Sequence, residues 1–197
     1  MGQIMLFKYA KGATPLSPDE VHNLIPSHIT TQKQLDEWEQ YNIVQGSNWA
    51  FSRKRKDLLS IVFAKKLHKQ MFNNTWLWAG TFRKRQTNIG IESIYIPQEL
   101  KLLFDDVQFQ LEHDSFPIRE IGVRLHHRLV FIHPFPNGNG RFSRLMAELL
   151  MRHNNEASFS WGNCNLANDS ETRGKYLFAL READNGDYTN LIKFADS

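Results

Sequence analysis

A single cysteine, Cys164, in 197 residues leaves no partner for an internal disulfide. The chain must therefore fold on its hydrophobic core alone, and this usage suits a reducing cytoplasm. No apolar run approaches the ~20 residues of a membrane-spanning helix. The opening stretch MGQIMLFKYAKG lacks the basic segment of a signal peptide. Its Met1-Gly2 start lacks the Ser or Thr at position six that goes with myristoylation, since Leu6 stands there. Charge of one sign is also scarce: 24 Lys and Arg against 21 Asp and Glu leave a net +3. That excess is too small to imply a nucleic-acid partner. The one basic run, Arg53-Lys54-Arg55-Lys56, lies beside Trp49 and Phe51 and could touch phosphates. It reads better as a solvated first helical turn. Repeats and low-complexity tracts are absent too. These absences predict a cytoplasmic protein with neither a membrane nor a nucleic acid as partner.

What is present is a core. Hydrophobic residues make up 41% of the chain and aromatics 12%, enough for one domain with a small appended segment. Residues 1–30 read as an irregular lead-in, with Pro15 and Pro26. Thr31 and Gln34 form a capping-box pair ahead of a helix through QLDEWEQYNI, with Leu35, Trp38 and Asn42 on one face. A second helix is predicted over about 57–72, with Leu59, Phe63, Leu67 and Met71 four apart. The segment TFRKRQTNIGIESIYIP (81–97) is rich in Thr, Ile, Phe and Tyr and reads as a β-hairpin turning near Asn88 and Gly90. Pro97 suits the first turn of a further helix, whose stripe is Leu100, Leu103, Phe104, Val107 and Leu111. Helices are also predicted over about 118–132, from Arg141 to His153, over about 170–182, and in DYTNLIKF. The expected fold is all-α, a helical bundle with one β-hairpin.

Chemistry concentrates in HPFPNGNG, between the helix ending near Ile132 and the helix starting near Arg141. Pro134 disfavours the helical conformation at His133, which ends the first helix there. Gly138 and Gly140 let the backbone turn so that successive N–H groups face one concavity at the N-terminus of the next helix. Such a terminus favours an anion. Arg141 and Arg144, three apart, share a face near that end. Two guanidinium forks beside an N–H nest make a polyphosphate cradle, with His133 as a base at its other lip. Two glycines and two arginines alone would describe only a tight helix connection; the histidine and the full spacing favour the cradle. It is not a P-loop, because GxxxxGK[ST] is missing.

The twelve residues HPFPNGNGRFSR (133–144) resemble the Fic motif, HxFx(D/E)GNGRxxR, at every specified position but one. The resemblance extends to LHHRLVFIHPF, to WAGTFRKRQTNIGIESIYIP as the family's flap, and to LFALREADNGDYTNLIKF, covering roughly residues 50–195. The lead-in ITTQKQLDEWEQYNI resembles the subgroup called mobile mystery protein B. The resemblance implies a Fic domain over 51–197, with residues 1–50 as an N-terminal segment carrying a possible regulatory helix. It also implies a protein adenylyltransferase. His133 would take the proton from a target Ser, Thr or Tyr hydroxyl as that oxygen attacks the α-phosphate of ATP. Gly138, Asn139 and Gly140 would hold the nucleotide phosphates through their amides, with Arg141 and Arg144 on the phosphates that leave. Phe135 would anchor the loop. The hairpin would dock a target protein by strand addition, with Ile94 and Tyr95 as contact residues.

Asn137 stands where the family pattern has an acidic residue that binds Mg2+. An amide oxygen adds no charge, so metal binding through it should be weak. The family's inhibitory motif (S/T)xxxE(G/N) has no strict match. Glu39 in Glu39-Gln40-Tyr41-Asn42 is the nearest echo and would face Arg144; otherwise Glu37 and Glu39 lie on a solvated face. A separate antitoxin is the other source of restraint that the resemblance implies, with the chain then the toxin of a pair. His126 and His127 lack the spacing and companions of a zinc site and are expected to pack within the bundle. Tyr176, Leu180 and Trp161 are either core or the lining of a base pocket. Two other classes stay open: a different Fic-type nucleotidyl or phosphate transfer, and a binding module weakened at Asn137.

Overall fold

In the computed structural model, residues 22–54, 56–163 and 170–197 are described. Most of the lead-in, together with Arg55 and Cys164, lies outside them. Seven α-helices follow one another among the described residues: α1 (Gln32–Phe51), α2 (Ile61–Phe72), α3 (Ile96–Glu112), α4 (Ile118–Ile132), α5 (Asn139–His153), α6 (Ser170–Asp184) and α7 (Thr189–Ala195). Short 3-10 turns cover Ser93–Tyr95 and Trp161–Asn163. The helices pack in pairs, α1 on α2, α4 on α5 and α6 on α7, with α3 against α4.

Helix α1 starts at the expected capping box. The Thr31 hydroxyl accepts from Gln34 N–H, and the Gln34 side chain accepts from Thr31 N–H at 3.1 Å. Its buried stripe is Leu35, Glu39, Asn42, Gly46 and Ala50, small or polar at every position after the first. Gly46 explains the small residues: a Cβ there would lie 2.7 Å from the Met71 backbone, so the two helices touch main chain to main chain. Asn42 explains the polar ones. It accepts from Asn74 N–H at 3.0 Å and donates to the Gln70 carbonyl, closing the C-terminus of α2. Helix α2 begins at Ile61, later than about 57, because Ser60 is its N-cap and accepts from Phe63 N–H at 3.0 Å. Of the basic run, Arg53, Lys54 and Lys56 are described, and they lie in the connection between α1 and α2. Within it, Lys54 donates to the Asn155 side chain and the His153 carbonyl at the end of α5.

The expected β-hairpin does not form. Residues 81–92 run as an irregular loop, and Ile94 and Tyr95 sit in a 3-10 turn that leads directly into α3. The sole β-bridge among the described residues is an isolated one between Leu24 and Trp76. Side chains take the bonds that a strand ladder would have used. Gln86 donates to the Gly90 carbonyl, Ser93 to the Lys84 carbonyl, and the Arg83 guanidinium to the carbonyls of Arg85 and Ile91. Local side-chain bonds of this kind compete with cross-strand pairing and here prevail.

Candidate active site

The segment joining α4 to α5 is built around Phe135. Its ring is fully buried, stacks on His68 at 3.7 Å between centroids, and meets Phe142 edge-on at 5.0 Å. Asn139 closes the turn from the other side. Its side-chain oxygen accepts from Phe135 N–H at 2.9 Å while its amide donates to the Phe135 carbonyl at 2.8 Å. The Asn139 side chain therefore shapes the loop, which leaves its backbone as the part able to face a ligand. At Gly138, φ is +76°, and a Cβ would strike the Phe72 ring at 2.5 Å, so only glycine fits. Gly140 is different. A Cβ there would find only Arg144, at 3.7 Å. No packing demands glycine at that position, so Gly140 leaves room beside the first turn of α5, the end of a helix that favours an anion.

His133 is the C-cap of α4, in the left-handed region at φ +53°. Such a conformation costs a non-glycine residue about 1–2 kcal/mol, so its surroundings must hold it. The imidazole is buried, and its Nδ1 lies 3.3 Å from the Val130 carbonyl. A carbonyl can only accept, so Nδ1 carries the proton and Nε2 keeps the lone pair. Burial, opposed by the Val130 bond and reinforced by the Arg83 charge, pushes the His133 pKa down to about 4. The ring is therefore neutral near pH 7, in the form a general base requires.

Two residues that the sequence reading passed over hold this loop. His68 on α2 is fully buried and accepts from Gly80 N–H through Nδ1 at 3.0 Å. Its Nε2 must then carry a proton, which it donates to the Asn137 carbonyl at 3.1 Å. One ring thus ties α2, the turn before the 81–92 loop, and the loop after His133. Its place beside Ala64 and Phe72 on the apolar face of α2 was the available signal. Arg83 is also buried. Its backbone N–H meets the Pro134 carbonyl at 3.0 Å, and its Nε meets the His133 carbonyl at 2.7 Å. An arginine inside a strand-like stretch gave no hint of this.

The two arginines of the motif have different partners. Arg141 donates to Glu39 Oε2 at 2.7 Å and lies over the Phe72 ring. Glu39 is buried, and its other oxygen accepts from Trp76 Nε1 at 2.6 Å. Glu39 therefore faces Arg141 rather than Arg144, and it is not on a solvated face. Trp76 decides this by fixing the carboxylate from α1 against the N-terminus of α5. Glu37 has the solvated place, loosely paired with Lys33. Arg144 donates a hydrogen bond to Tyr176, whose hydroxyl lies 3.0 Å from Nε2 of the buried His126. Burial drives the His126 pKa well down. Tyr176, Leu180 and Trp161 are all buried. His127 bonds Asp184 at 2.9 Å and Tyr188 at 3.2 Å. Ile94 and Tyr95 are exposed, at 77% and 51%.

Asn137 points its side-chain oxygen at Gly138 N–H, 2.6 Å away. That oxygen is neutral and already engaged. Among the described residues, no group of three or more His, Cys, Asp or Glu could hold a metal. These donors do not fit a magnesium held by the protein itself.

Residues 58–151 match the sequence model of the Fic/DOC family. That segment is similar to Fic/DOC-family domains. Among curated proteins, it is 27% identical over 152 residues to protein adenylyltransferase fic-1 of Caenorhabditis elegans, covering 75% of this chain and 28% of that one. It is 35% identical over 120 residues to protein adenylyltransferase Fic of Drosophila melanogaster, covering 58% and 23%. The chain thus spans about a quarter of the length of the curated relatives it matches. Among solved structures, BepC of Bartonella tribocorum with bound AMPPNP superposes with a TM-score of 0.68 at 19% identity, covering 95% of this chain and 93% of that one. Fic-1 of C. elegans gives 0.62 at 25% identity, covering 92% and 54%. The matched segment takes in α2 to α4 and α5 as far as Met151, and with them His133, the glycine loop and both arginines.

The neutral histidines also make a prediction about stability. An unfolded histidine takes a proton near pH 6.5, whereas His68, with its pKa pushed to about 3 mainly by burial, stays neutral in the fold. Below pH 6.5 the unfolded chain therefore binds more protons, and stability falls as the pH drops. Each such histidine contributes about 1.4 kcal/mol per pH unit until its folded pKa is reached. Denaturant titrations at pH 7, 6 and 5 should show this loss. An unchanged unfolding free energy between pH 6.5 and 5 would contradict it.

Proposed function

We propose that this protein transfers AMP from ATP to a hydroxyl of a target protein. The observation that carries the reading is His133, neutral and with its Nε2 lone pair directed by the Val130 bond, across one short loop from the first turn of α5. The similarity to proteins named protein adenylyltransferases supports it. His133 Nε2 removes the proton of a Ser, Thr or Tyr hydroxyl. The hydroxyl oxygen then forms a bond to the α-phosphorus, and the bond from that phosphorus to the β-phosphate oxygen breaks. Pyrophosphate leaves. The amides of Gly138, Asn139 and Gly140, with Arg141 and Arg144, stabilise the departing phosphates. Magnesium arrives with the nucleotide rather than on Asn137. The target rests on the 81–97 segment, where the exposed side chains of Ile94 and Tyr95 support docking by side-chain burial rather than by strand addition.

Labelled ATP tests this directly. Retention of the α-label on protein, with loss of the γ-label, is the expected result. Retention of the γ-label would mean phosphorylation, and retention of neither would mean a binding module.

Residues 1–50 act as a restraining segment on the domain at 51–197. Arg141 cannot serve a phosphate fully while Glu39 neutralises it, and the buried Glu39–Arg141 pair supports restraint from within the chain. Glu39→Gln keeps an acceptor for Trp76 but removes the charge. It should raise the apparent affinity for ATP about fivefold or more. Equal affinities of the two forms, measured by equilibrium binding, would leave the pair a purely structural role.

A further inference from the structure

The Arg83 guanidinium is a buried charge whose hydrogen-bond partners among the described residues are all backbone carbonyls. Nε donates to His133 O at 2.7 Å, Nη1 to Arg85 O at 2.9 Å, and Nη2 to Ile91 O and, at 3.4 Å, to Ile132 O. With the Arg83 N–H on Pro134 O, this one residue meets three consecutive carbonyls, those of residues 132–134, where α4 ends. A helix C-terminus carries unsatisfied carbonyls and the negative end of the helix dipole, which accounts for a cation here. The other half of the fork holds residues 85 and 91, the two sides of the flap loop. Contact between loop and base is direct: a Cβ on Gly90 would fall 2.6 Å from His133 Cβ and 2.9 Å from Arg83 Nη2.

We propose that Arg83 is the positioning residue of the transfer reaction, fixing the left-handed turn at His133 and the height of the 84–92 loop above it with one planar fork. This rests on the transferase reading. The loop that receives the target hydroxyl and the base that deprotonates it are thereby held as one rigid unit. Lysine cannot replace arginine here, because a single ammonium does not span carbonyls on two segments. The charge has a second effect: it adds to burial in lowering the His133 pKa.

The test compares Arg83→Lys and Gly90→Ala with the unsubstituted protein. It measures kcat and KM for α-labelled ATP, and amide hydrogen exchange over residues 84–92. A displacement of the base by about 1 Å costs roughly 100-fold in rate. Arg83→Lys should lower kcat by about that factor, leave KM for ATP within about twofold, and speed exchange in the loop. Gly90→Ala keeps every donor but pushes the loop from His133, so it should lower kcat and speed exchange in the same way. A rise in KM for ATP that matches the loss of rate would overturn the proposal, placing Arg83 in the nucleotide site. So would unaltered exchange. If Arg83→Lys does not fold, Gly90→Ala decides, and a wild-type kcat in that variant refutes the brace. If the unsubstituted protein transfers no label, the transferase reading fails by itself, and the exchange rates still decide for or against the brace.

Discussion

His133→Ala is expected to reduce AMP transfer by about 10²- to 10⁴-fold, the usual contribution of a positioned general base, with little change in ATP binding. The imidazole is bonded to the Val130 carbonyl and sits at the end of α4, whereas the phosphates are assigned to the first turn of α5. Base and cradle are thus separable, and alanine removes only the first. Labelled transfer and equilibrium nucleotide binding, measured on the same preparation, check both parts. Transfer above about one tenth of the wild-type rate would place the base elsewhere.

Phe135→Ala should cost about 3–5 kcal/mol of stability, the range for emptying a fully buried aromatic site. The ring is 0% exposed and is enclosed by His68, Phe82 and Phe142. The backbone of the same residue is clamped by both ends of the Asn139 amide, so the loop cannot easily collapse into the cavity. Stability measured by denaturant unfolding checks the magnitude. A loss below about 1 kcal/mol would mean that Asn139 and His68 hold the loop without the ring. Transfer should also fall in the folded fraction, because His133 is two residues away on the same turn.

The helices were legible in the sequence wherever an apolar stripe ran at helical spacing. Leu100, Leu103, Phe104 and Val107 are buried as expected, and so are Ile121, Leu125, Leu129 and Ile132. The end of α4 at Ile132 follows from Pro134, and the start of α1 follows from Thr31 and Gln34. These are local effects, decided within one or two turns of chain. The 81–97 segment failed for the complementary reason. Its composition favours strands, but Arg83, Gln86 and Ser93 spend their donors on the carbonyls a ladder needs.

By itself, the sequence determined that the bundle is helical, and it singled out the loop from His133 to Gly140 as the candidate site, with Asn137 where the family pattern has an acidic residue. Two glycines, two prolines and two arginines within twelve residues set those features locally. Only the tertiary structure decided which partner each charged group has. Glu39 is 102 residues from Arg141, and Arg83 is 50 from His133. Such pairs are set by how helices pack, through contacts like Gly46 on Met71 and Trp76 on Glu39. A carboxylate on a helix reads the same in sequence whether it ends in water or on a buried arginine. The packing of α1 against α2 and α5 put Glu39 on Arg141, and that contact sets a buried carboxylate at the start of α5, beside the glycine loop.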